Sequence, residues 1–489
     1  MSFEHCASLL GGYFLISVVC SVLYFGSVLW QVRGCMFGYA AIASLCIFAV
    51  TLYLMVKRPW GLKLGFAASI GALASLLLGT VSVDQAFQSF AEIWDAALAF
   101  IGIVTLSVVL DAMGFFKWAA MEVVKLAGGS GVKLYFYVSL LTATVSIFFA
   151  NDSAVLILTP IVLEIVSQLK VDSKGRLAYL FSAGLIADTA AMPLITSNPI
   201  NIVSADYFKY SFIDHFIVMA PVAAATVLTS LAVVYLFFRK DIPKTYSAKL
   251  VHALSDGSQF ITSRLLKLSV GTLLAVDVGY VIASLNRLPV SLVICSGALF
   301  LVAAYWFCLR NGYPINEERK GLKVIAAEIN WDILLFMVSI FIVVQGLKHT
   351  GIVDYLATLF VQASLLPPLL SVMVTAYLVT VGASFMNNWP MTLLGLVSIR
   401  HAVTVAGLTS PAKTMLVFSN IIGNNLGPHF FPLGSLAILM WLETMRRKGV
   451  NIRLRDYLRV GSVLSIIEVA VASVALWLVL GLTGFELST

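Results

Sequence analysis

The sequence predicts an all-α polytopic membrane protein built from two inverted-topology repeats, each holding a re-entrant helical hairpin and a broken transmembrane helix. Three observations predict this. First, 60% of the 489 residues are hydrophobic and 11% are charged, under half the charged share of about 25% found in soluble domains. Second, two apolar runs, 135–169 and 367–404, are too long for one bilayer crossing of about 20 residues and carry polar pairs near their middles, Asn151-Asp152 and Asn387-Asn388. Third, the basic residues collect in short segments between apolar runs, the pattern that orients membrane helices.

That pattern also accounts for the formal net charge of +7 and excludes a nucleic-acid partner. The six cysteines form no C-x-x-C pair and have no His spacing suited to a metal, so they are free thiols and no metal is held through cysteine. No cofactor motif is present. Nor is there a G-x-x-x-x-G-K-[ST] cradle for ATP, so energy comes from a gradient or a separate ATPase. No nucleophile–base constellation marks an enzyme.

In chain order, residues 1–38 form an extra N-terminal membrane helix, its apolar run at 7–30 starting in the cytoplasm. The first repeat covers 39–240, with the hairpin at 135–169 and a broken helix at 177–208. Residues 241–264 form a basic cytoplasmic loop. The second repeat covers 265–489, with the hairpin at 367–404 and a broken helix at 411–445. Placing the basic segments 57–63, 117–133, 170–176, 239–267, 310–323 and 446–459 in the cytoplasm makes the first hairpin enter from that side and the second from outside.

Internal offsets support a duplication. Aligning Asn151 with Asn387 gives 236 residues, while Asp188 with Asn425, or Asn198 with Ser435, gives 237. After each hairpin the apolar run is interrupted, by Pro193 and Pro199 in the first half and by Gly427, Pro428, Pro432 and Gly434 in the second. A broken helix is tolerated at membrane depth only where its freed backbone groups line a cavity or pack on protein. Two such segments at matching places point to a midplane binding site in a secondary transporter.

The candidate substrate contacts are therefore Asn151, Asn387 and Asn388 at the tips, Ser197, Asn198 and Asn201 at the first break, and Asn424, Asn425, Gly434 and Ser435 at the second. Uncharged donors and acceptors suit a neutral polyhydroxylated solute or a small oxyanion; the same groups also cap helices and replace lost helix bonds. An Asp at a membrane helix centre costs roughly 2.5 to 3.5 kcal/mol on insertion scales, which makes Asp152 and Asp188 candidates for proton coupling. The alternative is that each accepts backbone N–H bonds at a helix start. His429 is a third proton candidate or a structural histidine. Asp277 and Glu468 lie in apolar runs outside the repeat signature and stand as scaffold or secondary proton groups.

LDAMGFFKWAA from Leu110, FFANDSAVLILTPIV from Phe148, IADTAAMPLITSNPINIVSADYF from Ile186, FMNNWPMTLLG from Phe385 and NIIGNNLGPHFFPLGSLAILMWLE from Asn420 occur in this order. With them the chain resembles the ArsB-type arsenite/antimonite efflux permeases of the ion transporter superfamily, from about residue 39 to the C-terminus. It departs from that pattern in the run 7–30, at Asn425, where an acid is common, and at His429, where a lysine is common. The resemblance implies a multi-pass protein of the bacterial inner membrane, in contact with membrane lipid, that exports arsenite or antimonite in exchange for protons by alternating access. It permits a soluble arsenite-stimulated ATPase as partner. The alternative is a carboxylate or small-oxyanion carrier, sodium-coupled.

Overall fold

A computed structural model of the chain describes residues 38–246, 261–286, 288–311, 320–329 and 331–487. The run 7–30, assigned above to an extra helix, and residues 247–260 of the basic loop lie outside the described residues. Among the described residues the regular structure is helical, with a lone bridge between Ser130 and Thr245, and eight helices are long and apolar enough to cross a membrane.

The order in the first half is α1 (Tyr39–Lys57), α2 (Leu64–Leu77), α3 (Val83–Ala112), α4 (Phe115–Ala127), α5 (Gly131–Phe149), α6 (Asn151–Gln168), α7 (Ser173–Thr189), α8 (Pro199–Phe208) and α9 (Phe212–Phe238). The second half follows the same plan: α10 (Ser263–Leu285), α11 (Val290–Arg310), a short α12 (Leu322–Glu328), α13 (Trp331–Gly346), α14 (Ile352–Ser364), α15 (Pro368–Met386), α16 (Asn388–Ala406), α17 (Ser410–Phe430), α18 (Leu436–Arg447) and α19 (Leu454–Thr483).

Local chemistry sets the starts. Ser82 and Gln85 form a capping box at α3, Ser211 and Asp214 another at α9, and Asp172 accepts from Gly175 N at α7. α4 and α14, 13 residues each, carry no long apolar run in the sequence: they are too short to span and are strongly one-sided rather than uniformly apolar.

The halves interlock. α3 packs on α11, α2 on α13, and α9 on α19, so helices of each half are covered by helices of the other. Small residues permit the closest crossings. A Cβ on Gly423 of α17 would lie 2.7 Å from the Ala376 carbonyl of α15, and one on Gly184 of α7 would lie 2.5 Å from the Trp441 ring of α18. These contacts hold α7 and α17, the first halves of the two interrupted segments, deep in the molecule.

Candidate functional site

Each hairpin turns on one residue. Ala150 has φ 64 and ψ 153, and Asn387 has φ 80 and ψ 148. That region of backbone space is essentially glycine territory and costs of order 1–3 kcal/mol for other residues, so the surrounding packing holds both tips in place. The shared geometry corrects the alignment. Ala150, not Asn151, matches Asn387, and Asn151 matches Asn388 as first residue of the returning arm. The offset becomes 237 throughout, and Asp152 faces Trp389 in register rather than Asn388.

The breaks match equally well. The first runs from Ala190 to Asn198 and the second from Phe431 to Ser435, each holding a single 3-10 turn. Asn198 and Ser435 then cap α8 and α18 from extended backbone, accepting from Ile200 N and Ile438 N. Gly427 and Pro428, assigned above to the break, lie inside α17, which continues to Phe430. Pro428 still removes one backbone donor there. Gly434 supplies no side chain; its site has no room for one, since a Cβ would sit 2.7 Å from Pro428 Cα.

The tips and breaks meet through side-chain amides and carboxylates. Asn198 Nδ2 donates to Asn425 Oδ1 at 3.0 Å, and Asn425 Nδ2 donates to Asn201 Oδ1 at 3.1 Å, a bridge from the first broken segment to the second. Asn201 in turn donates to the Ala191 and Leu194 carbonyls, replacing bonds lost at the break. Asn151 Nδ2 donates to Asp188 Oδ1 at 2.5 Å, and Ser435 Oγ reaches the same oxygen at 3.4 Å. Asp188, at the end of α7 where the first break begins, is thus shared by the first hairpin and the second break.

His429 stands next to it. Its Nε2 lies 3.9 Å from Asp188 Oδ2, and neither atom has a hydrogen-bond partner, while its Nδ1 lies 2.7 Å from Glu468 Oε2. The other Glu468 oxygen accepts from Thr189 at 2.8 Å and from Ser230. All three ionisable groups are buried. Glu468, placed above outside the repeat signature, is therefore a member of the site. Its signal was an acid in the apolar run 459–482; its pairing with His429 across 39 residues had none.

Other candidates are placed differently. Ser197 accepts from Leu194 N and donates to the Ile147 carbonyl, which ties the first break to α5. Asn387 donates to the Leu433 carbonyl and caps α16 at Trp389 N. Asn388 is buried with its Oδ1 unpartnered. Asn424 bonds to Asn420 within α17 and does not join the inter-break bridge. Asp152 lines a cavity against α3 and makes no hydrogen bond to Asp188. Among the described residues no group of three or more His, Cys, Asp and Glu is arranged to hold a metal, and the described cysteines, Cys46, Cys295 and Cys308, are free.

The family model for the arsenical pump membrane protein, ArsB, matches residues 43–480. An arsenical pump membrane protein of Escherichia coli is 35% identical over 441 residues, covering 89% of this chain and 98% of the relative. The chain belongs to the arsenical pump membrane protein family. A member from Yersinia enterocolitica matches to the same extent, and a putative member from Bacillus subtilis is 24% identical over 430 residues, covering 84% of this chain and 93% of its own. The YdaH transporter of Alcanivorax borkumensis, whose structure has an unusual topology, superposes with a TM-score of 0.54 at 16% identity, covering 83% of this chain and 91% of that one. That likeness concerns the fold alone. As a member of the arsenical pump family with eight helices among the described residues long and apolar enough to cross a membrane, the chain is a multi-pass transporter of the bacterial inner membrane.

Proposed function

We propose that the chain exports trivalent metalloid, arsenite or antimonite, from the cytoplasm in exchange for inward protons, by alternating access. The observation that carries this reading is the position of Asp188, at the end of α7, where Asn151 of the first hairpin, Ser435 of the second break and His429 meet. Arsenite is mainly As(OH)3 at neutral pH, with three hydroxyls that donate and accept. Asn151, Asn198, Asn425 and Ser435 offer matching uncharged groups, and neither tip nor break contains a cysteine that would hold the solute too tightly for release.

Exchange follows from charge. With His429 protonated between Asp188 and Glu468 the cluster carries one net negative charge, which is costly to carry through an apolar barrier. A solute hydroxyl donating to Asp188 stabilises that charge in the loaded carrier. A proton neutralises it in the empty one. Solute and proton then compete for one carboxylate, which couples their opposite movements, and the rearrangement is a movement of the hairpin-bearing elements against the remaining helices. The basic cytoplasmic loops remain a place for a soluble ATPase to dock.

Arsenite uptake into inverted membrane vesicles tests this. Asp188→Asn keeps shape and loses the charge, so proton-driven uptake is expected to disappear. Asn151→Ala removes a donor from a buried carboxylate, a loss of about 1–3 kcal/mol, and is expected to weaken uptake strongly. Undiminished proton-driven uptake in both variants would overturn the assignment.

A further inference from the structure

A cavity of about 380 Å³ runs alongside the first hairpin. One wall is the returning arm α6, through Asp152, Ser153, Leu156 and Pro160. The facing wall is α3, through Ser107 and Asp111, with Ile333 of α13 beside it. The cavity therefore lies between a hairpin of the first half and helices of both halves, the kind of boundary along which alternating access opens.

Its chemistry is graded along its length. The end beside the tip holds Asp152 and Ser153 of α6. Next along the walls come mostly apolar side chains, Ile157 and Ile161 on α6 and Val104 and Val108 on α3, with Ser107 between the last two. Pro160, inside α6, has no N–H, so the carbonyl of Leu156, another lining residue, loses its intrahelical donor and adds an acceptor at this depth. The far end is charged: Lys320 Nζ lies 3.1 Å from Asp111 Oδ2 and 3.0 Å from Glu328 Oε1. Lys320 belongs to the basic segment 310–323, which the positive-inside rule places in the cytoplasm. Beside the second tip, by contrast, the space among Phe385, Asn387 and Leu436 is only about 20 Å³.

We infer that the α3–α6 cavity is the cytoplasmic vestibule by which a small, uncharged, hydroxylated solute reaches Asp152 and the first hairpin tip. The inference rests on the transport reading above. A largely apolar throat with sparse acceptors and an ion pair at its far end suits a small hydroxylated solute arriving from water. Beside the tip, Asp152 is the acid exposed to this space, whereas Asp188, His429 and Glu468 are buried and do not line it. The vestibule thus separates an acid in contact with the cytoplasmic side from the buried cluster.

Thiol labelling of the full-length chain, with its native cysteines replaced, tests the vestibule. Leu156→Cys, and Val108→Cys on the opposite wall, are treated with a charged, membrane-impermeant thiol reagent in inverted and in right-side-out vesicles. Leu140→Cys, on the outward face of α5, is the lipid-facing control. Both cavity positions are expected to label from the cytoplasmic face, with loss of transport on labelling, while Leu140→Cys reacts only with an apolar maleimide. Labelling of the cavity positions by the apolar reagent alone would make the space a lipid-filled crevice. Cytoplasmic labelling that leaves transport intact would make it a dead-end pocket; either result overturns the inference. The labelling pattern does not depend on which solute is carried, so a failure of the metalloid reading shows separately, as absent arsenite uptake in the unlabelled protein.

Discussion

Asp188 has to stay buried, accept from Asn151 and Ser435 on one oxygen, and leave the other oxygen open toward His429. Such a carboxylate is stable only while its neighbours are held in place, and Glu468 does that for His429. It fixes Nδ1, so that Nε2 points at Asp188. Glu468→Gln keeps an acceptor for Thr189 and Ser230 but removes the charge opposite the ring. Proton-driven transport is expected to fall by more than about tenfold, the scale of a broken buried ion pair, with partial recovery in Glu468→Asp. Equal rates in the wild type and Glu468→Gln across the pH range would remove Glu468 from the coupling path. Asn425→Ala is expected to weaken transport too, because it leaves Asn198 Nδ2 and Asn201 Oδ1 without their partners, about 1–3 kcal/mol for each buried group. At this scale the sequence was informative about which residues are expensive, since buried acids and amides in apolar runs stand out. It was less informative about which of them meet. The one-residue slip between Asn151 and Asn388 arose because two adjacent Asn residues at 387–388 leave the register ambiguous until the backbone of the tip is known.

The elements were more legible. Pro and Gly in mid-run marked both interrupted helices, and the polar pairs marked both tips, because unsatisfied backbone at membrane depth requires such residues. The ends of the second break were not legible, since Gly427 and Pro428 remain helical where α17 packs on α15. The same packing yields a prediction for stability. Gly184→Val would drive a branched side chain into the Trp441 ring and is expected to destabilise the protein by 1–3 kcal/mol or more, read as a lower thermal unfolding midpoint in detergent. At the cavity mouth, burial by itself would lower the Lys320 pKa, but Asp111 and Glu328 outweigh it and the net shift is upward. A raised lysine pKa means that the stabilisation is fully present below the unfolded value and is lost only as pH rises through the folded one. The ion pair therefore persists across neutral pH and weakens with salt, not with acid near neutrality. Lys320→Ala is expected to speed cytoplasmic labelling of Leu156→Cys about twofold to fivefold, in keeping with the modest strength of a partly exposed pair; an unchanged rate would show that the pair does not restrict the mouth.

For the whole molecule, the two halves share one plan but not one chemistry. The positions 237 residues apart pair Asn151 with Asn388, Asp188 with Asn425 and Asn198 with Ser435, so at these positions the acid belongs to the first half alone. The second half answers with His429 and Glu468, on α17 and α19. A cluster of ionisable side chains is thereby assembled from both halves, with amides of both beside it. The asymmetry fits a carrier in which one side of the site titrates and the other positions solute. The most direct measurement is made on the purified chain alone in liposomes, following arsenite entry and internal pH together after an imposed proton gradient. The account predicts arsenite movement against the proton flux, lost in Asp188→Asn and independent of ATP. Arsenite movement without proton movement, or only with ATP and a soluble ATPase, would contradict it.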